Sequence, residues 1–555
     1  MPQPLPTRPA PSPRPPWDAW SDDAPALPAG ARVIASTLLH GRPHPVPRRA
    51  PAPLPPTRLT AEQRAALAAV TEVDTSDEAR VAHLGGKSTI DLLRRRLGVD
   101  SGAPDAIVRP GGHDEVAAVL RVCDENGIVV VPFGGGTSVV GGVDPVDGVR
   151  GAPGTTLARP VVTLDLSRTA ALLAVDEVSR LATFGAGTTG PQAEQLLAAY
   201  GWTLGHFPQS YAYATLGGFA ATRSAGQASR GYGRFDDLTR RLRIATPTGE
   251  LDLGRAPASA AGPDLRELFL GSEGTLGVIT EVTVTVRPTP AATAYGAWTL
   301  PDFTAGAAAL RELTQRGVRP TVIRLSDGPE TRVNAALGGH LTRLRGCLAI
   351  ATAEGETAAA AASLLSDTDA ILRGHGAKPR GDQPARSWER GRFASPALRD
   401  TLLGIGVLAE TLETATTWAN LERTKAAVTA ALHDALTAAG TKPVVTCHIS
   451  HVYPSGASLY FTVVAALTAD PIGQWTSAKH AASRAIVDAG ATISHHHAVG
   501  RDHRAYLGAE IGEPGVRILR AVKDAVDPRG IMNPGVLIAA DAPAPTAPAP
   551  TGGAR

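Results

Sequence analysis

Pro132-Phe133-Gly134-Gly135-Gly136-Thr137-Ser138-Val139-Val140-Gly141-Gly142-Val143 is the stretch on which the reading of this 555-residue chain turns. It follows Ile128-Val129-Val130-Val131, a short apolar run that predicts a buried strand. Three adjacent glycines leave backbone N–H groups unobstructed, so they can approach an anion such as a pyrophosphate closely. Thr137 and Ser138 add hydroxyl donors at the same place. A glycine-rich turn by itself is equally well only a tight turn. It is not the dinucleotide fingerprint, because Val139-Val140-Gly141-Gly142 does not read as a first helical turn.

Outward from this loop, the pattern predicts a helix over 114–126, with Val116, Val119, Leu120 and Cys123 on one face. Asp114 and Glu115 fall in its first turn and Gly127 follows its end. Helices are also expected over 60–69, where Thr60 and Gln63 can form a capping box, over 88–97 and over 421–438. Strands are expected over 161–166, 278–286, 444–450 and 457–465. Gly85-Gly86-Lys87-Ser88-Thr89 is not a phosphate-binding P-loop, since its first glycine would fall at Val81 and no apolar strand precedes it.

Two further segments occur in order after the first: Thr215-Leu216-Gly217-Gly218 and Gly271-Ser272-Glu273-Gly274-Thr275-Leu276-Gly277-Val278-Ile279-Thr280-Glu281. With Pro132–Ser138 they resemble the FAD-binding domain of the vanillyl-alcohol oxidase type. Leu398-Arg399-Asp400, Ala457-Ser458-Leu459-Tyr460-Phe461 and Ser494-His495-His496-His497-Ala498-Val499-Gly500 are most similar to the alkyldihydroxyacetonephosphate synthase family within it. The resemblance runs from about Arg80 to about Leu537. It implies an α+β, two-domain FAD-binding fold with a C-terminal α+β substrate or cap domain.

The resemblance also assigns the flavin site. Pro132, Phe133, Gly134, Gly135, Gly136, Thr137 and Ser138 match the loop over the pyrophosphate. Gln209-Ser210-Tyr211-Ala212-Tyr213-Ala214-Thr215 and Thr222-Arg223-Ser224-Ala225 match stretches lining the flavin further along. Glu273-Gly274-Thr275-Leu276-Gly277-Val278-Ile279 matches the segment nearer the adenosine half. Several relatives carry a tethering His where this chain has Thr137, so the resemblance implies non-covalent FAD. His113 and His206 stay open as other tethers.

Tyr460 is the expected catalytic acid/base. Alternation sets Ala457, Leu459, Phe461 and Val463 on one strand face and Ser458, Tyr460 and Thr462 on the other. A packing tyrosine with a satisfied hydroxyl is the alternative. A free tyrosine titrates at about 10, so the site would have to favour the phenolate. His495, His496 and His497 match the family's active-site trio; a surface cluster and a metal site are the other readings, and no metal is assigned. In an extended segment His495 and His497 would share one side. Arg399 matches the family's substrate-binding arginine and Arg324 is a second, weaker match, each able to hold a phosphate bidentately.

The family activity implied is exchange of the acyl group of acyl-dihydroxyacetone phosphate for a fatty alcohol, with FAD as electron sink and no net redox change. The alternative is an FAD-dependent 2-hydroxy-acid or alcohol dehydrogenase or oxidase. Such enzymes commonly carry G-H-x-G-D-G-N-x-H and S-G-E-H-G-x-G motifs. Here Ser450-His451-Val452-Tyr453-Pro454-Ser455-Gly456 lacks the aspartate, and His496 replaces the glutamate.

Composition narrows the partners. Apolar content of 43% with 19% charged residues fits a soluble globular enzyme; the resemblance implies a small-molecule or lipid-like substrate. A net charge of +2 and 4% aromatics give no case for nucleic acid. Three scattered cysteines and no apolar signal core point to a bacterial-looking cytoplasmic protein, with at most peripheral membrane contact and a homodimer as one compatible assembly. Residues 1–58, rich in Pro, Ala and Arg, are expected to be disordered or loosely docked. The FAD-binding domain is expected over 59–290, the substrate domain over 291–538 and a disordered tail over 539–555.

Overall fold

The computed structural model describes residues 8–22, 26–27, 44–99, 102–146, 159–337 and 345–539. The helix expected at 114–126 runs His113–Glu125, with Asp114 and Glu115 in its first turn. Val116, Val119, Leu120 and Cys123 are fully buried, and Gly127 at φ +63° ends the segment in the left-handed conformation that glycine favours. The chain turns directly into the strand Val129–Phe133, parallel to Val161–Asp165 with Val130 opposite Val162. Both faces of a parallel strand are covered, which is why the run Val129–Val131 is apolar throughout. The four-stranded sheet is ordered Glu72–Asp74, Ala106–Arg109, Val161–Asp165, Val129–Phe133. The glycine loop begins where its last strand stops.

That last strand has a late-arriving neighbour. Val130 N–H donates to the Ile531 carbonyl, and Asn533 N–H to the Val130 carbonyl. Ile531 and Met532 therefore pack in the first core, although the sequence reading places them with the second half. An antiparallel five-stranded sheet, in which Val278–Thr285 pairs with both Leu181–Gly185 and Thr239–Thr246, shares this core.

The second half is built on a seven-stranded antiparallel sheet. Gly456–Ala466 lies in it between Val407–Thr417 and Val444–Ile449. The expected alternation holds: Ala457, Leu459, Phe461 and Val463 are fully buried. They share a core with Leu421, Val428, Leu432 and Leu436 of the helix Leu421–Ala438 and with Trp475, Ala478 and Ile486 of Pro471–Asp488. The other face of these strands is left for the site.

The expectation of disorder in 1–58 is corrected over residues 8–22 and 44–58, which pack on the body. Trp20 is 5% exposed and Val46 is buried, both in the second core. Their fixing comes from backbone carbonyls that receive buried cations, a signal that composition does not carry. Lys87 donates to the carbonyls of Pro16 and Trp17, and Arg96 to that of Asp18. Of the expected tail, 540–555 lies outside the described residues. Cys123, Cys347 and Cys447 are buried and unpaired. Among the described residues, no helix is long and apolar enough to cross a membrane.

Candidate active site

Strand register assembles the centre of the site. Tyr460 stands opposite Glu413 on one side and His448 on the other, and Ser326 opposite His448, in one row across four strands. Side chains two residues apart share a face. Ala409 and Thr411, Thr446 and Ser450, and Thr462 and Val464 therefore line the same cavity as His448 and Tyr460, a space of about 550 Å³. The glycine loop forms its far wall: Pro132–Val139 all line it.

The residues of that wall fit a flavin nucleotide. A Cβ on Gly135 would stand 2.0 Å from the Tyr213 carbonyl oxygen, and one on Gly134 2.4 Å from Thr215 Oγ1, so the loop closes on its neighbour only as glycine. Among the described residues, the backbone N–H groups of Gly135, Gly136, Thr137 and Ser138 donate to no protein acceptor. Four uncommitted donors in a row beside a cavity are a cradle for phosphate oxygens. The Ser138 hydroxyl is committed instead: it accepts the Gly142 N–H at 2.9 Å.

Downstream segments contribute selectively. Gln209, Ser210, Ala214, Thr215, Thr222, Ser224, Ala225, Glu273, Gly274, Gly277, Val278 and Ile279 line the cavity. Six other residues of the expected set do not. Tyr211 stacks on Phe393 with centroids 5.3 Å apart, and Tyr213 packs on the second core. Ala212 is absent from the lining. Arg223 turns to Asp236 and Glu267, Thr275 caps back onto the Ser272 carbonyl, and Leu276 belongs to the first core. The open tethers are also elsewhere. His113 binds Thr280 and Glu250, and His206 is packed between Phe219 and Phe235 with its ring on Ser224; neither lines the cavity.

The histidine segment is not extended, and the expected alternation fails. Its backbone wraps a carboxylate: the N–H groups of His495, His496 and His497 all donate to Glu413, at 2.8 to 3.1 Å, and Ser494 Oγ donates to it as well. His496 and His497 consequently both line the cavity, while His495 turns behind it toward Tyr453 at 2.6 Å. Past Ala498, the N–H groups of Val499 and Gly500 donate to Glu273, each at 2.9 Å. One loop is thus held by a carboxylate from each half of the molecule. Glu413 is invisible to motif reading, because only strand register places it beside Tyr460.

Burial opposes charge on Glu413, but His496, His497, His495 and the donated N–H groups outweigh it and hold the carboxyl well below its ordinary range. Burial pushes His495 and His497 down to about 3 and also lowers His496, while Glu413 acts in the opposite sense on all three. Burial raises Glu273 to about 7 against the N–H groups of Gly500 and Val499. For Tyr460, the phenolate that an acid/base role would call for is not favoured at rest. Burial foremost, with Glu410 and Glu413, pushes the phenol up, against the Thr411 hydrogen bond and the Arg399 charge.

His451, absent from the expected site, joins the cluster. Its ring and those of His495 and His496 bring nitrogens within 4.8 Å of one another, a spacing three metal ligands can have. Each ring has a protein partner in this arrangement: His451 with Ser229 at 2.6 Å, and His495 with Tyr453 and with His496. Both expected arginines reach the cavity. Arg324 pairs with Glu330 at 2.7 Å and contacts His448 Nδ1 at 2.9 Å. Arg399 pairs with Glu410 at 2.7 Å and donates to the Lys87 carbonyl at 2.7 Å.

Known proteins match this arrangement along most of the chain. Residues 104–253 match the FAD binding domain family, and residues 289–537 match the FAD linked oxidases, C-terminal domain. An alkyldihydroxyacetonephosphate synthase of Trypanosoma brucei brucei is 31% identical over 486 residues, covering 83% of this chain and 77% of that protein. A glycolate oxidase subunit of Bacillus subtilis is 26% identical over 457 residues, covering 79% of this chain and 90% of its own. A solved alkyldihydroxyacetonephosphate synthase structure superposes with a TM-score of 0.77 at 27% identity, covering 93% of this chain and 98% of that one. The shared fold, the two matched domains and the identity over four-fifths of its length make this chain a member of the alkyldihydroxyacetonephosphate synthase family of FAD-dependent enzymes.

Proposed function

We propose that the protein replaces the acyl group of an acyl-dihydroxyacetone phosphate with a fatty alcohol. The observation that carries this reading is the one cavity lined by the glycine cradle together with Tyr460, His448, His496 and His497. In the reaction the bond from the substrate carbon to the acyl oxygen breaks and the fatty acid leaves as carboxylate. The alcohol oxygen takes its place and gives up its proton, so no electrons are gained or lost overall. FAD, when bound, supplies an electron sink beside that carbon. Gly135, Gly136, Thr137 and Ser138 would hold it by backbone N–H groups and without a covalent link; acid precipitation that releases all the flavin into the supernatant checks this.

Tyr460 and its neighbours handle the proton. The phenol carries its own proton at rest, so it accepts one from the substrate carbon only after passing that proton on. The rings of His448, His497 and His496 stand 4.8, 5.7 and 6.0 Å from its ring; burial weakens all three as bases, and the Glu413 carboxylate beside His496 and His497 would stabilise the proton that one of them takes. Arg399 and Arg324 would bind the phosphate. Val333, Leu402, Val407 and Val464 give part of the wall an apolar surface suited to alkyl chains.

The test is to incubate FAD-loaded protein with palmitoyl-dihydroxyacetone phosphate and labelled hexadecanol under anaerobic conditions. Released palmitate and label in an ether product, with the flavin band unbleached, is the expected result. Rapid bleaching by a 2-hydroxy acid or simple alcohol, with no ether formed, would instead establish a redox enzyme.

A further inference from the structure

We propose that the N-terminal segment Arg14–Ser21 sets Trp20 into the wall of the substrate cavity, and that Trp20 positions the Arg399 guanidinium for an anionic ligand. The segment precedes both matched family domains, which begin at residues 104 and 289. Trp20 is 5% exposed, lines the cavity, and sits with its ring 5.6 Å from the Arg399 guanidinium carbon. An indole face at that distance attracts a guanidinium and limits its swing.

The backbone of the segment fixes Trp20 in turn. Trp20 N–H donates to Asp400 Oδ2 at 2.6 Å, the residue next to Arg399, and Arg96 donates to Asp400 Oδ1 at 3.2 Å. Lys87 and Arg95 both donate to the Trp17 carbonyl, Arg95 at 2.5 Å. Lys87 also offers its own carbonyl to Arg399. Arg399 therefore has a carboxylate, a carbonyl and an aromatic face around it. Its Nε is buried with no protein partner, as is the Trp20 Nε1. A corner with so fixed a cation suits a phosphate ester. Only the identity of that ester rests on the synthase reading.

The test compares FAD-loaded wild type, Trp20→Ala and Trp20→Phe. Calorimetric titration with dihydroxyacetone phosphate should show at least a tenfold weaker Kd in Trp20→Ala and near recovery in Trp20→Phe, with bound flavin and Tm near wild type in the latter. With the acylated substrate, KM should rise in Trp20→Ala while kcat stays within a few-fold. Equal Kd in wild type and Trp20→Ala overturns the proposal, as does a wild type that binds no phosphate ester. Loss of flavin, kcat and binding together in both variants also overturns it, because that pattern marks a purely structural role. A wild type that binds dihydroxyacetone phosphate but forms no ether defeats the synthase reading and leaves Trp20 to be judged by the Kd comparison.

Discussion

Tyr460 has a proton to manage and the surroundings to do it. Burial foremost, with Glu410 and Glu413, keeps the phenol protonated, so its chemistry depends on handing that proton to an imidazole. Tyr460→Phe keeps the ring and its stacking on His448 but removes the hydroxyl. The expected result is a fall in kcat of about 10²- to 10⁴-fold, the range for loss of a general acid or base, with flavin content unchanged. Full activity in this variant would move the proton chemistry to the histidines alone. Tyr460 was legible in the sequence because a strand states its two faces plainly. Its partner Glu413 was not, since a lone glutamate 47 positions earlier carries no mark of the register that will set it alongside.

Among elements, the glycine loop and the histidine loop were read with opposite success for one physical reason. The glycine loop depends on local backbone requirements, which residue type displays. Gly135→Ala should consequently yield folded protein with little flavin, measured as the ratio of visible to ultraviolet absorbance, because its Cβ would meet the Tyr213 carbonyl. The histidine loop takes its shape from a carboxylate on another strand. Charge-assisted hydrogen bonds are worth about 1.5–3 kcal/mol each, and Glu413 accepts several. Glu413→Gln should lower Tm by several degrees in a thermal melt and depress kcat well beyond any loss of flavin. If activity survives while Tm falls, the loop serves stability only.

At the scale of the whole molecule, buried imidazoles set the response to acid. His206, His495 and His497 are held near 3 and His503 near 4, all by burial foremost, against about 6.5 in the unfolded chain. Below pH 6.5 the unfolded chain gains protons that the folded one refuses, so stability falls as pH drops, at about 1.4 kcal/mol per group for each unit. Glu273 works the other way: its raised carboxyl adds stability as pH falls from about 7 toward its ordinary value. Four rings outweigh one carboxyl. Tm should therefore be lower at pH 5.5 than at pH 7.5, and a flat profile would show that the rings are protonated in place. The strands expected over 161–166, 278–286, 444–450 and 457–465 were legible from their apolar pattern; the docking of residues 8–22 was not, because proline-rich sequence shows no periodicity and its anchors are main-chain carbonyls.

The return of the chain to Val130 sets an order in time. The edge of the strand that launches the glycine cradle is completed by Ile531 and Asn533, and Asn533 also reaches back across 391 residues to the Gly142 carbonyl. A ribosome finishes the cradle's first strand and then translates the entire substrate half before the segment that closes it emerges. A chain truncated before residue 531 would leave that strand edge open, and it should retain less flavin than the full chain, measured as the ratio of visible to ultraviolet absorbance.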